Sequence, residues 1–185
     1  DANVAALYEK WYGEASKFQD FLYIMVGKGV GAGIFCNGNM LLGKSGIAGE
    51  FGHMSINPGG AQCVCGNRGC LETELSVNAL LRKAALASEG KISSLELLLE
   101  QLAADDRDMQ HLLTEYAYVA GRHIGNLIDI FNPEAVIIGG EIARLERFLV
   151  SGLKQSIEDT IHLVLRGLRK SELIAPLQHG VDSIF

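Results

Sequence analysis

The chain has 185 residues, of which 48% are hydrophobic and 21% charged, with a formal net charge of −6. That is the profile of a globular protein of one domain or one large lobe. The acidic balance and the lack of a basic stripe argue against this chain itself gripping nucleic acid, whose phosphates have to be neutralised. No apolar run reaches membrane-spanning length and the first residues are not a signal peptide, so a reducing cytoplasm is the expected compartment.

The chain opens on Asp1 without an initiator methionine, and the expectation is a piece of something longer. Asp1 is placed to cap a helix carrying Val4, Tyr8 and Trp11 on one face, with Gly13 as its stop. Phe21 to Val26 is a short continuous apolar run, read as a buried strand. Gly27 to Gly33 (G-K-G-V-G-A-G) passes into Ile34, Phe35 and Cys36, the last an ordinary buried thiol. This glycine run has two readings: a backbone cradle for phosphate, or a tight bend between strands with no ligand. It is no Walker sequence, because no G-K-[ST] closes it. Asn37-Gly38 signals a hairpin turn, with Met40 to Leu42 as the returning strand.

Met54 and Ile56 suggest another short strand, and Asn57 to Gly60 is turn chemistry. Val77, Leu80, Leu81 and Ala84 share a helical face ending near Gly90, and Ser93 to Leu102 is a second helix. Asp105 to Phe131 is the longest helix, stopped by Asn132-Pro133, with Gly121 and Gly125 permitting close packing on a neighbour. Ala135 to Ile138 is a core strand running into Gly139-Gly140. A turn and an amphipathic helix follow, with Leu145, Phe148, Leu149, Leu153 and Ile157 inward, and Glu172 to Ala175 is a last strand. Strand, glycine turn, helix, strand is the order of an α/β fold, whose ligands bind at the strands' carboxyl ends. There is no internal repeat or low-complexity tract.

The most informative stretch runs from Gly49 to Thr73. Cys63, Cys65 and Cys70 fall within it, and His53 lies ten residues before the first. Gly66 and Gly69 let the loop bend sharply enough to gather the sulfurs. One imidazole and three thiolates make a closed tetrahedral set for a structural zinc, with no position left for water. A disulfide fits poorly, because three clustered cysteines leave one over and nothing suggests secretion. Glu50 and Glu72 flank the ligands, so whatever fixes the loop also fixes two carboxylates. On its own, Glu72 reads equally as an exposed charge at a helix start.

These motifs carry a resemblance. G-E-F-G-H-M followed by C-V-C-G-N-R-G-C-L-E-T is similar to the signature of the ROK family (repressors, open reading frames and sugar kinases). D-A-N-V-A-A-L at Asp1, G-K-G-V-G-A-G and F-N-P-E-A-V-I-I-G-G-E resemble further family segments in the expected order, from Asp1 to about Glu141. The resemblance implies an α/β, actin-like ATPase or ribonuclease H-like fold of two lobes. Residues 1–185 would be the C-terminal, second lobe, with an inserted zinc loop at 53–70 and flanking helices. The first lobe and any DNA-binding domain would lie outside this chain. It also implies zinc on His53, Cys63, Cys65 and Cys70, and a sugar held by Asp1, Glu50, His53 and Glu72. The two ring nitrogens of His53 allow it both jobs.

Family members include both kinases and regulators. For a kinase, Asp1 would be the catalytic base, Gly27, Gly29 and Gly31 would contact the nucleotide, and ATP with Mg2+ would be needed. Lys28 and Ala32 depart from the kinases' G-T-G-x-G-G-G pattern, and Glu141 stands where they tend to have a third glycine. The expectation is therefore the sugar-effector lobe of a transcriptional regulator that is a homodimer or tetramer and reaches DNA through an upstream domain. The alternative is the C-terminal lobe of an ATP-dependent sugar kinase. A third reading has the zinc only stapling a dimerisation module.

Overall fold

The computed structural model describes residues 1–161 of the chain. Helix α1 (Ala2–Tyr12) leads through a 3-10 turn to strand β1 (Phe21–Val26), which turns back antiparallel as β2 (Val30–Cys36) and again as the two-residue β3 (Asn39–Met40). A long loop then leads to α2 (Glu72–Leu75), α3 (Val77–Ala87), α4 (Leu95–Ala103) and the 25-residue α5 (Arg107–Phe131). Strand β4 (Ala135–Gly139) joins the sheet parallel to β1, giving the order β3-β2-β1-β4, and α6 (Glu146–Thr160) follows.

Alternation along the strands divides the core into two layers. Leu22, Ile24, Val26, Val136 and Ile138 face the layer that holds α5 and α6. Phe21, Tyr23, Phe35, Ala135 and Ile137 share the other with Ala5 and Ala6 of α1. Burial on both faces is why β1 reads as an unbroken apolar run. Helix α5 is capped by the Asp106 carboxylate, which accepts from the Asp108 and Met109 amides, and it stops at Asn132 in the left-handed conformation, φ 46°. Its two glycines do what close packing requires. A Cβ on Gly121 would lie 2.5 Å from the Ser156 Cβ, and one on Gly125 2.8 Å from that of Thr160.

Val4, Tyr8 and Trp11 do share one face of α1, but it is not the face that packs on the sheet. Val4, Tyr8 and Trp11 point outward, Trp11 with 65% of its surface exposed, and Ala5, Ala6 and Glu9 point in. The physical reason is β2: a Cβ on Gly33 would stand 2.3 Å from the Ala6 Cβ, so helix and strand meet with almost nothing between them. Only small residues fit that seam, and apolar periodicity cannot report them. The returning strand stops at Met40 short of Leu42, and Met54 to Ile56 form only an isolated bridge, Ser55 with Cys70. The expected strand at Glu172 to Ala175 lies outside the described residues.

Candidate functional site

Asp1, the Gly27–Ala32 turn, Glu50, His53, Glu72 and Glu141 line one open cleft of about 850 Å3. Each arrives there by a separate piece of backbone. The β1–β2 connection is a tight hairpin in which the Gly27 amide donates to the Gly29 carbonyl at 2.9 Å. The run thus bends tightly over Gly27–Gly29, and β2 has already begun at Val30.

Gly49 brings the following loop back against β2, its carbonyl accepting from the Ala32 amide at 2.9 Å. With φ +93° and space for a Cβ only 2.0 Å from the Ala32 carbonyl oxygen, this position requires glycine. Phe51 is buried beneath the 3-10 turn Phe51–His53, and that anchor sets both Glu50 and His53 on the cleft side.

The loop after His53 folds back on itself. Ser55 bridges to Cys70 and Gln62 to Arg68, while the Cys63 amide donates to Asn67 and the Gly66 amide to Cys63. Gly69, φ +62°, touches the Asn57 carbonyl so closely that a Cβ would fall 1.5 Å from its oxygen. The result gathers the donors of His53, Cys63, Cys65 and Cys70 within 4.8 Å of one another. His53 Nδ1 lies 3.6 Å from Cys63 Sγ, and Cys65 Sγ lies 3.6 Å from Cys70 Sγ. Ordinary zinc bond lengths on a tetrahedron put such edges at about 3.6 Å for N–S and about 3.8 Å for S–S. The four residues therefore fit a structural zinc. Without a cation the thiols resist ionising together: burial, then the neighbouring Cys65 and Cys63, push Cys70 up to about 12. Cys65 is moved the other way by the Asn67 backbone amide.

His53 Nε2 faces away from the knot, 3.7 Å from Glu50 Oε2. Glu72 opens α2 and joins two parts of the site. Its Oε2 accepts from the Val30 amide at 3.0 Å, and its Oε1 lies 4.0 Å from Cys63 Sγ. Helix α2 is itself pinned from below, where the buried Tyr116 hydroxyl donates to the Leu75 carbonyl at 2.6 Å. Burial pushes that phenol's pKa well above its usual value, so it remains a donor.

Asp1 stands at the head of α1 with its carbonyl accepting from the Ala5 amide, but its side chain makes no capping bond. The capping role expected for that carboxylate is absent, and Asp1 lines the cleft. The residues expected at a sugar and at a nucleotide thus line the same cleft. Two more cleft residues were not singled out from the sequence as ligand contacts. Asn3 lies one position past Ala2 on α1, with its Oδ1 buried and unpartnered among the described residues. Glu141 follows Gly140, φ +84°, and its Oε1 sits 3.7 Å from where a Gly27 Cβ would be. The sequence marks Glu141 only as a departure from the kinases' third glycine, and here it lines the cleft.

A mixed sheet wrapped by helices, with a cleft at the strand ends and a His/Cys knot on its rim, is the actin-like sugar-kinase fold. The chain belongs to the ROK family, whose model matches residues 1–180. It is 40% identical over 172 residues to a glucokinase of Halalkalibacterium halodurans, covering 85% of this chain and 52% of that one. It is 36% identical over 169 residues to a xylose repressor of Caldicellulosiruptor bescii, covering 85% and 42%. The ROK hexokinase of Thermus thermophilus superposes with a TM-score of 0.82 at 31% identity, covering 98% of this chain and 61% of that one. The chain spans about half the length of the curated relatives it matches, which include both glucokinases and xylose repressors.

Proposed function

We propose that residues 1–185 are the C-terminal lobe of the sugar-effector domain of a ROK transcriptional regulator, stabilised by zinc on His53, Cys63, Cys65 and Cys70. The observation that carries this reading is an asymmetry in the cleft. Asp1, Glu50, His53 and Glu72 are a polar set suited to a sugar, whereas the glycine turn suited to a nucleotide carries Lys28 and has the Glu141 carboxylate beside Gly27. Asp1, Glu50 and Glu72 each accept hydrogen bonds from adjacent hydroxyls, and His53 Nε2 adds one more polar contact. Zinc, when bound, supplies shape and not chemistry, because four protein ligands close its coordination sphere. Sugar acts by a population shift: it must bind one arrangement of the lobes more tightly than the other to alter a dimer partner or a DNA-binding head.

A second reading has its own support. The higher identity to a glucokinase than to the xylose repressors favours a kinase lobe, with Asp1 as base and Gly27, Gly29 and Gly31 at the nucleotide. One experiment separates the two. In the full-length protein, ATP consumption is measured with a panel of hexoses, pentoses and N-acetylhexosamines, alongside sugar-dependent melting. A sugar-dependent melting shift without turnover supports the regulator. Turnover abolished by Asp1→Ala makes it a kinase.

A further inference from the structure

The three thiols of the knot are not equivalent. Cys63 and Cys70 are buried, at 4% and 0% exposure, whereas Cys65 is open to solvent. Cys65 stands at the tip of a narrow turn, closed beneath it by the Gly66 amide on the Cys63 carbonyl and the Cys63 amide on the Asn67 carbonyl. Nothing crowds that tip: Val64 is exposed, and a Cβ on Gly66 would meet no atom within 4 Å. Cys70 is the opposite case. The bridge to Ser55 and the Leu71 amide on the Met54 carbonyl at 2.9 Å fix its backbone, with Leu71 fully buried beside it. The Cys65 and Cys70 sulfurs are in contact at 3.6 Å, while Cys63 lies against His53 Nδ1. An uncrowded tip thus carries one accessible sulfur onto one fixed, sheltered sulfur.

We propose that Cys65 is an oxidative modification site: a peroxide enters at its sulfur, and Cys70 resolves the product as a Cys65–Cys70 disulfide that dismantles the metal site. The zinc reading of the knot underlies this, since thiols committed to a metal are held as thiolates, the nucleophilic form. The Cys65 thiolate attacks one peroxide oxygen and breaks the O–O bond, which leaves a sulfenic acid and releases hydroxide. The Cys70 thiolate then attacks the Cys65 sulfur; the S–S bond forms and a second hydroxide leaves. Two electrons pass from the sulfurs to the peroxide, and solvent protonates both hydroxides to water. The sulfurs must approach by about 1.5 Å, from 3.6 Å to a disulfide length of about 2.05 Å, and the open tip allows it. Two of the four donors are then lost, and His53 with Cys63 falls short of the four ligands a structural ion requires. The same change reaches the cleft, because His53 and Glu72 are held by the knot. Oxidation therefore weakens sugar binding, a consequence that rests on the sugar-binding reading.

The test uses the full-length, zinc-loaded protein carrying Cys36→Ser, which removes the one thiol of residues 1–185 outside the knot. Hydrogen peroxide is added in small molar excess. Released zinc is read with a chromogenic chelator, and the pairing by peptide mass mapping after alkylation. The expected result is zinc released in step with a Cys65–Cys70 disulfide, Cys63 left open to alkylation, and both changes reversed by dithiothreitol with added zinc. Zinc retained at doses that oxidise free N-acetylcysteine overturns the proposal, as does release with a Cys63 disulfide or a sulfinic acid in place of the Cys65–Cys70 bond. Reduced, folded protein that takes up no zinc overturns the metal reading and this proposal with it. Melting with and without sugar is recorded on the same samples. A sugar-dependent shift lost on oxidation and regained on reduction with zinc supports control of the sugar site, and a shift unchanged by oxidation overturns that consequence alone. No shift even in reduced, zinc-loaded protein overturns the sugar reading and the consequence together, while the mapped disulfide stands.

Discussion

Replacing Gly33 by alanine tests the seam on which Asp1 depends. Gly33 is not in the left-handed region, so alanine there would ordinarily stabilise by about 0.4–1 kcal/mol through the unfolded chain. The folded state opposes this with more. The new Cβ would stand 2.3 Å from the Ala6 Cβ and 2.9 Å from the Ala2 carbonyl oxygen, and neither is the end of a flexible side chain. Carbon atoms settle at about 3.5–4.0 Å, so α1 has to lift by on the order of 1 Å. Overpacking of that kind costs about 1–3 kcal/mol. For a chain of this size each kcal/mol moves the melting temperature by about 2–4 °C, so the variant should melt roughly 2–10 °C lower. Because Asp1 rides at the head of α1, sugar affinity should weaken in the same variant. Scanning calorimetry with and without sugar measures both. Adding Ala6→Gly supplies the internal control: the two changes touch, so the double variant should be less destabilised than the sum of the singles. A melting temperature for Gly33→Ala equal to or above that of the parent would refute the claim that this contact seats α1.

Three further outcomes follow from the site. Cys65→Ser should release the metal and weaken sugar binding together, read by metal analysis and calorimetry on the same sample; sugar affinity that survives metal loss unchanged breaks the coupling between knot and carboxylates. Tyr116→Phe leaves the buried Leu75 carbonyl without its donor and should cost about 1–3 kcal/mol in chemical denaturation, with a weaker sugar complex because α2 carries Glu72. The Arg144 guanidinium, hydrogen-bonded to Glu96 at 2.6 Å, holds that carboxyl down from 4.5 to about 2. A depressed carboxylate stabilises fully above its unfolded pKa, and the contribution disappears as pH falls from about 4.5 towards 2. Glu96→Gln should therefore flatten that part of the acid-unfolding curve, by a modest amount that salt reduces further because both side chains are exposed.

The knot and the seam show which kinds of structure a sequence reveals. His53, Cys63, Cys65 and Cys70 were legible because metal chemistry restricts both residue type and spacing, and the folded loop brings their donors within 4.8 Å of one another, two pairs at 3.6 Å. Strand β1 was legible because burial on both faces leaves only apolar residues. The orientation of α1 was not, because Ala2, Ala6, Gly31 and Gly33 are selected for having no bulk, and smallness carries no periodic hydrophobic signal. Glu72 sits between these cases. Its position beside Cys70 marked it as fixed by the knot, but its bond to the Val30 amide joins residues 42 apart in sequence, and no local pattern encodes such a pairing. That long-range bond changes the meaning of the glycine run. Through the Val30 amide, Glu72 makes the end of that run a brace between the metal loop and the sheet. Substituting Glu72 should therefore disturb the turn and the knot at once, which a residue that only touched a ligand would not do.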